Sequence, residues 1–117
     1  MPDSLENLRT LLAQFASIRD WDQFHSPKNL SMALIAEAAE LVEHFQWLTE
    51  KQSFQLTPEK KQDVSHELAD ILIFLIRTAD TLNIDLIHSA NEKISINEKR
   101  YPVNKVKGQA KRAEEYD

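Results

Sequence analysis

The fold is decided by the stretch Ile35-Ala-Glu-Ala-Ala-Glu-Leu-Val-Glu-His-Phe-Gln-Trp47 and by a second, shorter stretch, His66-Glu-Leu-Ala-Asp-Ile71. Each contains two acidic residues three positions apart, namely Glu37 with Glu40 and Glu67 with Asp70. In a helix this spacing places both acids of a pair on one face, and apolar residues flank the first acid of each pair. Because a carboxylate among apolar residues is costly to ionise without a partner, two such pairs on neighbouring helices could share a divalent cation.

The composition favours an all-α chain with a single helical domain. The 117 residues include only one glycine, Gly108, whereas hairpins and β-sandwiches need glycines in their turns. Apolar residues recur at helical spacing over four segments, which predicts a subunit of the four-helix-bundle type. We expect residues 1–102 to form this domain and residues 103–117 to form a C-terminal arm or flexible tail.

The first two helices are predicted from capping signals and apolar periodicity. Asp3 is the expected N-cap of the first helix, which continues to about Ile18. Asn29 is the expected N-cap of the second helix, which continues to about Leu48. Between them we expect a loop that contains aromatic residues and ends at a proline.

The third and fourth helices carry stronger boundary signals. Thr57, followed by a proline, predicts the start of the third helix, and Asn83 suits the left-handed residue that ends it. Asp85 is the expected N-cap of the fourth helix, and Pro102 ends it. The segment 51–56 is predicted to be a polar connection.

Charge and composition disfavour several classes of protein. The net charge of −5 and the pI of about 5.3 disfavour binding to a nucleic-acid polymer. The absence of cysteine excludes disulfides and thiolate metal sites. No apolar run is long enough to span a membrane, and the N-terminus lacks the pattern of a signal peptide, so we expect a cytoplasmic location.

The longest apolar run, Ile71-Leu-Ile-Phe-Leu-Ile76, would be apolar on every side of the third helix. A helix at the surface of a small monomer would leave part of this run exposed to water. We therefore expect a partner subunit to cover it in a homo-oligomer.

The four acids predict a site for a hard cation. All the candidate ligands are carboxylate oxygens, which suit Mg²⁺ or Mn²⁺ better than Zn²⁺ or copper. His44, four residues after Glu40, could be a further ligand or an ordinary surface histidine.

Two rival interpretations of the acids remain. A di-iron bundle needs a Glu-x-x-His motif on each of two helices, and only Asp63-Val-Ser-His66 approximates one. The other rival is a non-catalytic helical dimerisation module, in which the acids pair with arginine and lysine.

Two further groups of residues admit either a structural or a functional role. Lys93, Asn97 and Arg100 share one face of the fourth helix, either as a solvated stripe or as donors to phosphate oxygens. Trp21 and His25 lie in the loop after the first helix. There they could fill the edge of the core or form a platform for a planar base. The spacing leaves both alternatives open in each case.

Beyond the acidic pairs, the chain contains several longer motifs. They are Arg19-Asp-Trp-Asp-Gln-Phe-His25, Pro27-Lys-Asn-Leu30, Glu37-Ala-Ala-Glu-Leu-Val-Glu-His-Phe-Gln-Trp47, Glu67-Leu-Ala-Asp-Ile-Leu-Ile73 and Lys93-x-x-x-Asn97-x-x-Arg100-Tyr-Pro102. Together they resemble the MazG-like all-α nucleoside triphosphate pyrophosphatases, and within them the dCTP pyrophosphatase branch. The resemblance covers nearly the whole chain from Leu5 to Pro102.

The resemblance implies Mg²⁺-dependent hydrolysis of a nucleoside triphosphate to the monophosphate and pyrophosphate. By position in the motifs, the catalytic and metal-binding residues are Glu37, Glu40, Glu67 and Asp70, of which Glu37 could instead activate water. The phosphate-binding residues are Lys93, Asn97 and Arg100. The base-binding residues are Trp21, His25 and Trp47. The family assembles helical bundles into dimers and tetramers and removes surplus or modified deoxynucleotides.

The branch implies dCTP or a 5-modified dCTP as the substrate, with dUTP or another non-standard nucleotide as the alternative. Phe74 departs from the family, whose members commonly carry a tyrosine there with its hydroxyl on the substrate side. The loss of one hydrogen bond, worth about 0.5–1.5 kcal/mol, affects the expected selectivity more than the expected hydrolysis.

Overall fold

In the computed structural model, which describes residues 4–116, helices are the only regular secondary structure. They are α1 (Leu5–Ile18), α2 (Pro27–Glu43), α3 (Glu50–Ser53), α4 (Pro58–Thr81), α5 (Leu86–Arg100) and α6 (Val103–Val106), followed by a 3₁₀ turn at Ala113–Glu115. The predicted all-α class is therefore confirmed for this range. None of the helices described there has the length and apolar character needed to cross a bilayer.

The boundaries of α4 and α5 follow their predicted signals. The Thr57 hydroxyl accepts a hydrogen bond from the backbone of Lys60, and the Asp85 carboxylate accepts one from the backbone of His88. Between the helices, Asn83 has a φ of 57°, the left-handed conformation expected of a residue that ends a helix. These predictions are confirmed.

The starts of α1 and α2 differ from the prediction. Ser26, not Asn29, caps α2, because a proline fills the first helical position directly after the serine. The Asn29 side chain instead donates a hydrogen bond to the carbonyl of Phe24. Ser4 caps α1, and Asp3 lies outside the described residues.

Helix α2 is shorter than predicted and ends at Glu43 rather than near Leu48. The backbone N–H groups of residues 44, 45 and 48 each bond to the carbonyl three residues earlier, so the regular four-residue ladder gives way to turns after Glu43. The predicted polar connection begins with the short helix α3, where Thr49 and Gln52 form a capping box.

The described chain divides into two compact units between Asn83 and Ile84. In the first unit α4 packs mainly against α2 and to a smaller extent against α1. The core of this unit is small and consists of Ala16, Leu30, Val64, Ile76 and Ala79. The packing of α2 on α4 brings together the helices that carry the two acidic pairs.

The second unit contains α5, α6 and the C-terminal segment. The rings of Tyr101 and Tyr116 meet edge to face with their centroids 6.2 Å apart, and the Tyr116 hydroxyl accepts a hydrogen bond from the backbone of Lys111. The division into a helical domain of residues 1–102 and an arm of residues 103–117 stays a prediction.

Candidate active site

Helices α2 and α4 bring three acidic side chains together. Carboxylate oxygens of Glu37, Glu67 and Asp70 all lie within 4.8 Å of one another. The two acids of α4 share a face because three residues separate them. Glu37 reaches them from α2, which packs against α4.

Glu40 lies at the exposed edge of this group. Its carboxyl group contacts that of Glu37 on the same helix and that of Glu67 on α4. Of the four acids predicted to bind metal, three therefore form a compact group, and the fourth adjoins it where solvent has access.

Two oxygens of the acidic group are buried without a hydrogen-bond partner, Oε2 of Glu37 and Oε2 of Glu67. Burying a carboxylate oxygen without a donor is costly, and a cation bound by both side chains would remove that cost. Carboxylate oxygens are the ligands that Mg²⁺ and Mn²⁺ prefer. The residues present therefore fit a site for a hard divalent cation.

The acidic group alters the protonation of its members. Burial is the main cause that raises the pKa of Glu37 to about 7, and contact with Glu40 is the next. Burial and Glu40 also raise the pKa of Glu67, whereas the nearby His44 lowers it. A carboxyl group that titrates near neutral pH can take up a proton during a reaction, as a general base must.

His44 and Lys60 form a chain of contacts that ends on Glu67. Lys60 Nζ lies 3.2 Å from His44 Nδ1, and His44 Nε2 lies 3.6 Å from Glu67 Oε1. His44 is half-buried at the C-terminal end of α2, while Lys60 and Glu67 are two turns apart on α4. The structure thus places His44 beside the acidic group.

Trp21 and His25 lie close together in the loop between α1 and α2. Their ring centroids are 6.1 Å apart, and Phe15 of α1 meets Trp21 edge to face at 5.8 Å. Trp21 remains 43% exposed. Its ring therefore packs against α1 and still has surface available to a planar ligand.

Arg77 of α4 anchors this loop. Its Nη2 lies 3.3 Å from Oδ1 of Asp22, and its Nη1 lies 3.2 Å from Oδ2 of Asp80. Burial and then the positive charge of Arg77 lower the pKa of His25, although Asp22 acts in the opposite direction. The imidazole is therefore neutral at pH 7, and its Nδ1 is buried without a hydrogen-bond partner.

Trp47 lies in the turn between α2 and α3 and is 87% exposed. Within residues 4–116, no ring contact joins it to Trp21 or His25. The structure brings the latter two together and does not bring Trp47 to them. The base-binding role of the three residues stays a prediction.

The residues predicted to bind phosphate lie in the second unit, on one face of α5. Lys93 is exposed and Asn97 is half-buried. The guanidinium of Arg100 lies 5.6 Å from the ring centre of Tyr101. Their role in binding phosphate stays a prediction.

Arg77 was not among the residues predicted to be functional, and the role of His44 was open between a ligand and a surface histidine. The signal for Arg77 was a single arginine directly after a long apolar run, since a buried arginine needs acidic partners. For His44 no local signal points to Glu67, because the two residues belong to different helices.

Comparison with known proteins gives consistent matches over most of the chain. A sequence model of the MazG-like family matches residues 33–115. The dCTP pyrophosphatase 1 of Rattus norvegicus is 40% identical over 111 residues, which cover 92% of this chain and 64% of the rat protein. The dCTP pyrophosphatase 1 of Homo sapiens is 41% identical over 103 residues, which cover 86% of this chain and 61% of the human protein.

A solved structure matches as well. The crystal structure of a pyrophosphatase from Archaeoglobus fulgidus aligns with a TM-score of 0.79 and 37% identity. The alignment covers 83% of this chain and 91% of the archaeal chain. By contrast, the chain spans less than two thirds of the length of the curated relatives it matches.

Proposed function

The chain belongs to the MazG-like family, as its motifs predicted, and on that premise we propose that it is a Mg²⁺-dependent nucleotide pyrophosphohydrolase. The proposed substrate is dCTP or a 5-modified dCTP, which is hydrolysed to the monophosphate and pyrophosphate. The observation that carries the proposal is the group of Glu37, Glu67 and Asp70 with its two buried carboxylate oxygens that lack donors. The relatives named dCTP pyrophosphatase 1 support the choice of base.

The acids have two roles in this proposal. Glu37, Glu40, Glu67 and Asp70 hold the cation, which is Mg²⁺ or Mn²⁺ and which, when bound, neutralises charge on the phosphate oxygens. Alternatively, Glu37 leaves the cation to the other three acids and acts as the base that activates the attacking water. The carboxylate of Glu40 is exposed to solvent.

The remaining predicted residues bind the other parts of the nucleotide. Lys93, Asn97 and Arg100 donate hydrogen bonds to phosphate oxygens, for which arginine offers a planar pair of donors. Trp21, His25 and Trp47 surround the base. The exposed surface of Trp21 and the neutral imidazole of His25 support this role, since a cytosine ring is planar and offers both donors and acceptors.

A homo-oligomer, either a dimer or a tetramer, is the proposed assembly. Many large apolar side chains of the first unit are exposed, among them Ile18 at 80% and Ile35 at 65%. On α4, Leu72 and Leu75 are exposed within the apolar run that predicted a partner. Partner subunits would remove these side chains from water. A cytoplasmic location stays part of the proposal.

A substrate panel tests the proposed activity. Purified protein is incubated with dCTP, 5-methyl-dCTP, dUTP, dTTP and CTP, with Mg²⁺ or with EDTA, and pyrophosphate is measured separately from orthophosphate. We expect Mg²⁺-dependent release of pyrophosphate, fastest with the deoxycytidine nucleotides. Fastest turnover of dUTP would support the pyrophosphohydrolase activity but with uracil as the preferred base. No hydrolysis of any nucleotide would contradict the activity and favour a non-catalytic helical module.

A further inference from the structure

The two carboxylate oxygens of Glu67 have different surroundings. Oε1 lies 3.6 Å from Nε2 of His44, slightly beyond hydrogen-bond length. Oε2 is buried and has no hydrogen-bond donor. A protein donor therefore faces one oxygen, and the other is left for a ligand.

Lys60 lies against one of the two nitrogens of the His44 ring. An ammonium group can only donate hydrogen bonds, and Lys60 Nζ lies 3.2 Å from His44 Nδ1. Nδ1 must then accept, so the neutral imidazole carries its proton on Nε2, the nitrogen that faces Glu67. Without the lysine, the two tautomers of the ring would compete.

Secondary structure holds the three groups in place. Lys60 and Glu67 are seven residues apart and therefore lie on the same face of α4, two turns from each other. His44 ends α2, and its side chain is only 17% exposed while that of Glu67 is 20% exposed. Partial burial restricts the rotation of both side chains.

We propose that His44 is a positioning residue for the cation site. Its Nε2–H attracts Oε1 of Glu67 electrostatically across 3.6 Å and so keeps Oε2 available to a cation shared with Glu37 and Asp70. The histidine does not coordinate the cation itself but acts through the carboxylate, as hydrogen-bonding partners of metal ligands do. This inference rests on the proposed function, because it takes Glu67 to be a cation ligand.

The tautomer is tested on the metal-free protein by NMR. Two-bond correlations between ring protons and ring nitrogens distinguish a protonated from an unprotonated nitrogen of His44. We expect Nε2 protonated and Nδ1 unprotonated in the wild type and in the Lys61→Met control, and a mixture of tautomers in Lys60→Met. A mixture in the wild type would overturn the role of Lys60.

The effect on the cation is tested by Mn²⁺ binding, followed by the electron paramagnetic resonance of free Mn²⁺. His44→Leu is expected to weaken binding about 10–100-fold, the usual effect of removing a partner of a metal ligand. His44→Gln keeps a donor near the position of Nε2 and should bind within about threefold of the wild type. His66→Leu, a change at an exposed histidine next to Glu67, serves as the matched control.

Each outcome separates this inference from the proposed activity. Unchanged Mn²⁺ affinity in His44→Leu would overturn the positioning role, as would a nitrogen directly bound to Mn²⁺ in electron spin-echo spectra. If His44→Leu does not fold, Lys60→Met decides, because a mixed tautomer should weaken binding measurably while Lys61→Met should not. Normal Mn²⁺ binding without pyrophosphate release would overturn only the activity, whereas no Mn²⁺ binding by the wild type would overturn both.

Discussion

The guanidinium of Arg77 lies 3.3 Å from the carboxylate of Asp22, a residue 55 positions earlier in the chain. The arginine side chain is 7% exposed, and its other terminal nitrogen lies 3.2 Å from Asp80, within the same helix. Asp80 also accepts a hydrogen bond from Arg9 of α1 at 3.1 Å. This network connects α1, α4 and the loop that carries the two aromatic residues proposed to bind the base.

Arg77→Met is expected to lower the free energy of unfolding by about 2 kcal/mol, because hydrogen bonds between charged groups contribute about 1.5–3 kcal/mol each. The expected loss of unfolding free energy lies near the lower end of the range for two such hydrogen bonds, because Asp80 keeps Arg9 as a partner and Asp22 is more than half exposed to water. Urea denaturation measures the change. Arg112→Met is the control, because that arginine is 80% exposed and should change stability by less than about 0.5 kcal/mol.

A double-mutant cycle isolates the contact itself. Asp22→Asn combined with Arg77→Met should be less destabilising than the sum of the single changes, by about 0.5–1 kcal/mol. If the two effects simply add, the carboxylate and the guanidinium do not interact in solution.

The raised pKa of Glu37 makes stability depend on pH. Its value is about 7 in the folded protein against an ordinary 4.5, so the folded state binds more protons than the unfolded state between these values. The contribution of this group to the stability of the metal-free protein is therefore full below about pH 4.5 and falls as pH rises through 7. Mg²⁺ should offset the loss, since cation binding displaces the proton. Thermal unfolding across this range, in EDTA and in Mg²⁺, measures both effects.

Glu37→Gln is the control for this pH dependence. It removes both the titrating group and the repulsion among carboxylates, so in EDTA at high pH its melting temperature should exceed that of the wild type by about 4 °C, equivalent to about 1 kcal/mol. The same pH dependence in wild type and variant would assign the effect to another group.

Signals that act over a few residues made much of the fold predictable. Thr57 and Asp85 cap their helices because a short polar side chain reaches the backbone N–H three residues later, whatever the rest of the chain does. The errors at Asn29 and in the segment 51–56 had local signals too, in the Ser-Pro pair and in the capping box before α3.

Contacts between helices were predictable only where helical spacing constrains them. The separation of Glu67 and Asp70 places both on one face in any helix, so one packed partner is enough to bring Glu37 to them. The contacts of His44 with Glu67 and of Arg77 with Asp22 depend on the rotation of one element against another. Periodicity within one segment does not contain that information.

Asp70→Asn is expected to reduce pyrophosphate release more than about 100-fold, because loss of a metal ligand should cost more than the 10–100-fold typical of its outer partners. The helical circular dichroism should be unchanged, since the substitution relieves repulsion in the metal-free protein. Asp63→Asn changes an exposed carboxylate on the same helix and should keep full activity. Full activity in Asp70→Asn would contradict its assignment as a ligand.

Trp47→Ala is expected to raise the KM for dCTP about 5–100-fold and to change kcat little, because stacking of a base on an aromatic ring contributes about 1–3 kcal/mol. The ring is 87% exposed, so its loss should leave the free energy of unfolding nearly unchanged. Phe54→Ala is a matched control, because Phe54 has the same 87% exposure. Equal KM values for the two variants would contradict a role of Trp47 in binding the base.

Phe74→Tyr adds the hydroxyl that the family resemblance leads us to expect at this position. Phe74 lies four residues after Asp70 and therefore on the same face of α4, where it is half-buried. One additional hydrogen bond, worth about 0.5–1.5 kcal/mol, should lower the KM for the preferred deoxynucleotide about 2–10-fold. Steady-state kinetics with dCTP and CTP measure whether the gain is larger for one sugar. Phe54→Tyr adds the same hydroxyl at an exposed position and should change neither value, whereas an unchanged KM in Phe74→Tyr would place that side chain away from the substrate.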